Sequence, residues 1–129
     1  MYTREVRETG RLLILSGSGI MTGAELIATT RGMVEDADAV RHVREVLVLL
    51  GDVTRLEVDS DHVRQVVEID RALVKLIPRA AVAIVAPKDE VFGMARMWEM
   101  MVVFTEWKIQ VFRSREEADL WLESERQVP

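Results

Sequence analysis

Seven apolar residues without a polar alternate, Ala80 to Ala86 (Ala-Ala-Val-Ala-Ile-Val-Ala), stand between Pro78 and Pro87. A strand with one wet face would alternate apolar and polar side chains. This run therefore predicts a parallel strand covered on both faces. The alanines beside Val82, Ile84 and Val85 let covering elements approach closely, and the prolines fix the ends because each lacks a backbone donor. Val46-Leu47-Val48-Leu49-Leu50 has the same character and predicts an adjacent, parallel, buried strand within Val43 to Leu50. A chain with two such strands must supply helices to both faces of its sheet.

The stretch after Pro87 is the most apolar of the predicted helices. From about Lys88 to Thr105, Met94, Met97, Trp98, Met101 and Phe104 share one stripe. Val91, Phe92, Ala95, Met100, Val102 and Val103 widen it, leaving Asp89, Arg96, Glu99 and Glu106 as a narrow polar band. Packing on a sheet uses a stripe of about 100°. The surplus predicts a surface hidden by a second copy or by a bound apolar molecule, since methionine adapts to irregular partners.

Around this pair the rest reads as β-β-α-β-α-β-α-β-α. Tyr2 to Arg7 is a strand with Tyr2 and Val6 on one face, followed by a two-residue hairpin turn at Thr9-Gly10. Leu12 to Leu15 is the second strand, and Gly17-Ser18-Gly19 reads as a tight turn. Thr22 and Glu25 spell a capping box for a helix to about Val34, before an acidic loop, Glu35 to Asp38. After the third strand, Gly51-Asp52 opens a loop to Ser60, which reads as the cap of a long helix ending before Pro78. Lys108 to Phe112 is the fifth strand. Ser114 and Glu117 box a last helix to about Ser124, with a frayed tail to Pro129. Strands alternating with helices imply right-handed crossovers and an α/β fold, mainly parallel with an N-terminal antiparallel edge strand.

A length of 129 residues predicts a single domain, 1–129, able to bury its own core. A net charge of −5 argues against nucleic acid, which needs a basic face. The absence of cysteine excludes disulfide and thiolate chemistry. The first ten residues carry no apolar core of signal-peptide type, and no apolar run approaches the roughly 20 residues of a membrane span. The expected location is cytoplasmic.

Few residues look out of place. Asp70 falls amid Val63, Val66, Val67, Val74 and Ile77 on the helical wheel, where a carboxylate must be paired, hydrogen-bonded, protonated or beside a cavity. It is either a structural tie to a loop or an arginine, or the polar anchor of a pocket between its helix and the methionine helix. The spacing Gly17-x-Gly19-x-x-x-Gly23 matches neither the dinucleotide fingerprint nor a phosphate loop. His42 and His62 lack metal-ligand spacing, so no metal is expected. No cofactor is expected, and no catalytic set can be picked out, which argues against an enzyme.

Lys108 to Leu122 (KIQVFRSREEADLWL) resembles the ending of the bacterial SpoIIAA-like proteins, an uncharacterised branch of the STAS-related fold. Gly19-Ile20-Met21-Thr22 with Glu25 is similar to that family's entry to its first helix. Asp70 with Leu73 and Lys75 is similar to its "D-l-k" helix, and Arg79 to Val85 to its "RvAvV" strand. The likeness runs from about Leu12 to Leu122. It implies a SpoIIAA/STAS-like β-α superhelix in which successive strands are neighbours, a fold shared with CRAL-TRIO domains, which bind lipids between a sheet and mobile helices. STAS anti-anti-sigma factors carry a phosphorylatable serine in Asp-Ser-Ser-Gly, where this chain has Asp59-Ser60-Asp61-His62. The resemblance therefore places the possible switch at Ser60 or Asp61, with Asp61 in the phosphoserine position.

Together these features give a non-enzymatic STAS-like interaction domain, a homodimer or partner of an unknown protein, without a clear phosphoserine switch. The alternative is a carrier or sensor of a small apolar or lipid-like molecule held between helices 60–77 and 88–105. The residues expected at the ligand or partner surface are Asp70, Phe92, Met94, Met97, Trp98, Met101 and Phe104.

Overall fold

A computed structural model describes residues 1–127; the expected loose tail to Pro129 ends outside them. The strands are β1 (Tyr2–Arg7), β2 (Leu12–Thr22), β3 (Glu45–Glu57), β4 (Ala81–Val85) and β5 (Lys108–Phe112). They lie side by side in chain order, β1 antiparallel to β2 and every later pair parallel. The helices are α1 (Gly23–Glu35), α2 (Ala37–Val40), α3 (Ser60–Leu76), α4 (Asp89–Met101) and α5 (Arg115–Arg126).

Strand order explains where the helices go. When each parallel strand is added on the same side of the last, right-handed crossovers put every connecting helix on one face. Leu13, Leu15, Val46, Val48, Val82 and Ile84 point to that face and pack with residues of α1, α3 and α4. The alternate residues Leu12, Ile14, Leu47, Ala81, Ala83 and Val85 point to the other face, where Ala118 and Leu122 of α5 cover them. Both sets are buried, so β4 and the first part of β3 are doubly covered, as their unbroken apolar runs require. Val46 to Leu49 pair directly with Val82 to Val85.

Five local expectations need correction. The hairpin turn is longer than Thr9-Gly10: Glu8, Thr9 and Gly10 all have positive φ, and Arg11 N–H donates to Glu8 O. Gly17-Ser18-Gly19 is strand, not turn, because β2 continues to Thr22 beside an equally extended β3. Gly17 is small because a Cβ there would lie 3.0 Å from Leu50 Cδ2 and 3.0 Å from Met21 Sδ. Gly19 supplies a φ of +62° at a register shift, where β3 carries an extra residue. Gly51-Asp52 is likewise inside β3, and the expected acidic loop Glu35 to Asp38 is taken up by the end of α1 and the start of α2, with Asp36 between them. Finally, α4 stops at Met101, where β-branched Val102 and Val103 follow and Thr105 Oγ1 donates to Val102 O at 3.0 Å.

The ends of the fold are tied by a carboxylate that the sequence did not single out. Glu45, at the start of β3, is 3% exposed. Its Oε2 accepts from Arg11 Nε at 3.1 Å and its Oε1 from Arg126 Nε at 2.6 Å, joining the start of β2 and the end of α5.

Candidate ligand cavity

Three helices on one face cannot all sit equally close to a twisted sheet, and the space left between them is a cavity of about 120 Å³. Sheet residues such as Val48, Val82 and Ile84 form its floor. Helix α1 contributes Leu26, Thr30 and Met33, and α3 contributes Val63, Val66 and Leu73. Met94, Ala95 and Trp98 of α4 close it, with Trp107 from the link to β5 and Tyr2 from β1.

Among the described residues, Asp70 is the one carboxylate at this cavity. The 3.6-residue repeat of α3 turns it inward with Val63, Val66, Val67 and Leu73, and it is 2% exposed. Its Oδ2 accepts a hydrogen bond from Trp98 Nε1 at 2.8 Å, and it makes no other side-chain hydrogen bond among the described residues. Burial raises its pKa to about 7, a rise that the Trp98 N–H opposes. Burial also raises the pKa of the Tyr2 phenol, and the nearby Asp70 raises it further. Tyr2 is half-buried as a residue, with its ring directed inward; its hydroxyl makes no hydrogen bond among the described residues. Thr30 donates its hydroxyl to Leu26 O at 2.8 Å. Trp107 Nε1 donates to Ile77 O at 2.7 Å, and its ring stacks on Trp98 with centroids 6.3 Å apart.

The residues expected from the sequence divide into groups. Asp70, Met94 and Trp98 meet at the cavity. Met97, Met101 and Phe104 lie beside it, packed with Val63, Val67 and Val102, and the Arg71 guanidinium stands 4.3 Å above the Phe104 ring. Phe92 does not border the cavity; it stacks under the Arg113 guanidinium at 4.0 Å. Tyr2, Thr30 and Trp107 were not anticipated, although the placing of Tyr2 and Val6 on one strand face was a usable signal for Tyr2.

The Ser60-Asp61 position lies at the first turn of α3, away from this cavity. Ser60 is not the cap. Asp59 takes that place: its Oδ1 accepts from His62 N–H at 3.0 Å, while His62 Nδ1 accepts from Asp59 N–H at 3.1 Å. Aspartate caps as well as serine does, and it stands one residue earlier, where the backbone is still extended. The His62 ring also fills the space above Gly23, where a Cβ would approach it to 2.1 Å. Asp61 is exposed and bonded to Arg64 at 2.6 Å. Among the described residues, no group of three or more metal-ligating side chains converges, and no helix is long and apolar enough to cross a membrane.

No protein-family model matches the chain and no curated protein does. Solved structures are similar to it throughout, among them the following two. One is the anti-sigma factor antagonist SpoIIAA in its unphosphorylated form, with a TM-score of 0.54 and 13% identity over 99% of this chain and 100% of that one. The other is an uncharacterised protein of the DUF3478 family from Shewanella loihica, described as having a SpoIIAA-like fold. It aligns with a TM-score of 0.55 and 17% identity over 95% of this chain and 92% of that one. Strand order, the antiparallel first pair and these alignments agree: the chain has the SpoIIAA-like α/β fold.

Proposed function

We propose that this chain is a non-enzymatic binding domain that holds a small apolar molecule between its sheet and helices α1, α3 and α4. The observation that carries this reading is a buried carboxylate, Asp70, at the edge of an otherwise apolar cavity of about 120 Å³. A charge that only tied two helices together would be better enclosed by partners; Asp70 has one, and borders space instead. Xenon is a suitable test, because it enters apolar cavities without needing a polar group. Under xenon pressure, methyl NMR signals of Val48, Val66 and Ile84 should shift saturably. Unchanged methyl signals would sink the reading.

A second reading, protein contact, is favoured by the outer side of α4 and the residues after it. Met100 is 70% exposed and Val103 81% exposed, beside half-buried Met97, Met101 and Phe104. The likeness in fold to an anti-sigma factor antagonist points the same way. In this reading the patch meets a second copy, giving a homodimer. Met100→Glu combined with Val103→Glu should then yield monomers in analytical ultracentrifugation, and a monomeric wild type would exclude it. Control by phosphorylation is not part of either reading. Asp61 stands in the phosphoserine position that the resemblance implies, and stoichiometric phosphate on Ser60 in protein from its native cell would contradict this.

A further inference from the structure

The cavity's size and the hydrogen-bonding groups on its wall narrow the class of molecule it can take. An engineered apolar cavity of about 150 Å³ in another protein accepts benzene, so a cavity of about 120 Å³ matches one ring or its equivalent rather than a long acyl chain. Among the described residues, the wall carries no arginine, lysine or histidine. An anion inside would face the Asp70 carboxyl with no cation to offset it. An ammonium group would lose its hydration in return for a single carboxylate in an apolar wall, an exchange that favours it poorly. The indole N–H groups of Trp98 and Trp107 are already engaged, by Asp70 and by Ile77 O. What remains unengaged among the described residues is Asp70 Oδ1, an acceptor, and on the same wall the Tyr2 hydroxyl, which can donate or accept.

We propose that the cavity binds a neutral, single-ring-sized compound carrying one hydroxyl or N–H group that donates to Asp70 Oδ1. This rests on the reading of the cavity as a binding site, and adds to it the chemical class of the occupant.

Phenol and toluene test the proposal, since they share a shape and differ in the donor. Benzoate and benzylamine supply the two charged counterparts. The readout is the set of indole N–H signals in NMR. Trp98 and Trp107 border the cavity, while Trp121 packs with Phe112 on the opposite face of the sheet and is an internal control. Phenol should shift the Trp98 and Trp107 signals saturably and leave Trp121 unmoved. It should bind about tenfold more tightly than toluene, the value of roughly one hydrogen bond to an ionisable acceptor. Benzoate and benzylamine should produce no saturable shift. In Asp70→Leu the preference for phenol should vanish while toluene still binds; should that variant not fold, the wild-type ratio of phenol to toluene decides alone. Toluene binding as well as phenol, or benzylamine binding better, overturns the proposed class while the cavity reading stands. No response to any of the four probes overturns both.

Discussion

Asp70→Asn should make the protein more stable at neutral and alkaline pH, by an amount that depends on pH in a calculable way. In the folded protein the Asp70 pKa is raised from 3.8 to about 7. A raised carboxyl pKa means that the folded state holds the proton more tightly than the unfolded chain does. Below about pH 4 both states are protonated and burial of the neutral acid costs little. Between there and about pH 7 the unfolded chain releases its proton first, and stability falls by about 1.4 kcal/mol per pH unit. Above about pH 7 both states are ionised, and a deficit of about 4 kcal/mol remains. Asparagine does not titrate, and its side-chain oxygen can replace Oδ2 as the acceptor for Trp98 Nε1. The groups facing Asp70 are Trp98 on α4, which does not ionise, and Tyr2 on β1, whose phenol is held above its ordinary range. No other ionisable side chain borders the cavity among the described residues.

Urea denaturation of both proteins at about pH 5 and about pH 8 measures the effect, because all other titrations cancel in the difference. The advantage of the variant should grow by about 2–3 kcal/mol between those two values. The same stability difference at both pH values would show that Asp70 titrates alike in folded and unfolded chains, and the account of a desolvated carboxyl would be wrong. A variant that loses stability relative to wild type as pH rises would reverse the sign, and would mean that an unseen cation compensates the charge.

Ile84→Asp should abolish folding, since an unpaired carboxylate in the doubly covered β4 costs a large share of a total stability of about 5–15 kcal/mol; circular dichroism checks this. Gly23→Ala should cost about 1–3 kcal/mol despite alanine's better helix propensity, because the new Cβ meets the His62 ring. A double-mutant cycle with His62→Ala should recover part of that cost, and strict additivity would contradict the contact. Asp59→Ala should cost about 1 kcal/mol in chemical denaturation while Ser60→Ala changes stability by less than about 0.5 kcal/mol; the reverse ranking would return the cap to Ser60.

The sheet was legible because burial leaves a local mark. Val46, Val48, Val82 and Ile84 alternate with Leu47, Ala81, Ala83 and Val85, and both sets are apolar, so the need for helices on two faces could be read before any contact was known. Strand lengths were not legible in the same way. Gly17, Gly19 and Gly51 are ordinary turn signals, yet here they lie inside paired strands. What keeps those strands extended is the parallel pairing of β2 with β3, far apart in sequence, and the close approach of Leu50 and Met21 to Gly17. No window of a few residues contains either cause. The Asp59 cap shows a smaller version of the same difficulty: two acceptable caps stood side by side, and the His62 contacts with Asp59 and Gly23 accompany the earlier one.

The cavity was legible only through its anomaly. A helical wheel places Asp70 on the buried side of α3 without any knowledge of the sheet, and burial of a carboxylate demands a partner or a space. Which of these it has depends on how far α4 stands from α3, and that separation is set by side chains from distant parts of the chain. Trp98 reaches Asp70 from α4, Trp107 stacks on Trp98 from the link to β5, and Tyr2 enters from β1. Between these large rings two alanines, Ala80 and Ala95, stand among the larger aliphatic residues of the wall. Small residues in a sequence predict close approach, and they permit it only where no larger neighbour holds the elements apart. On the opposite face of β4, Ala81 and Ala83 pack with Ala118 of α5, whereas on this face Ala80 and Ala95 border the cavity beside Trp98 and Trp107.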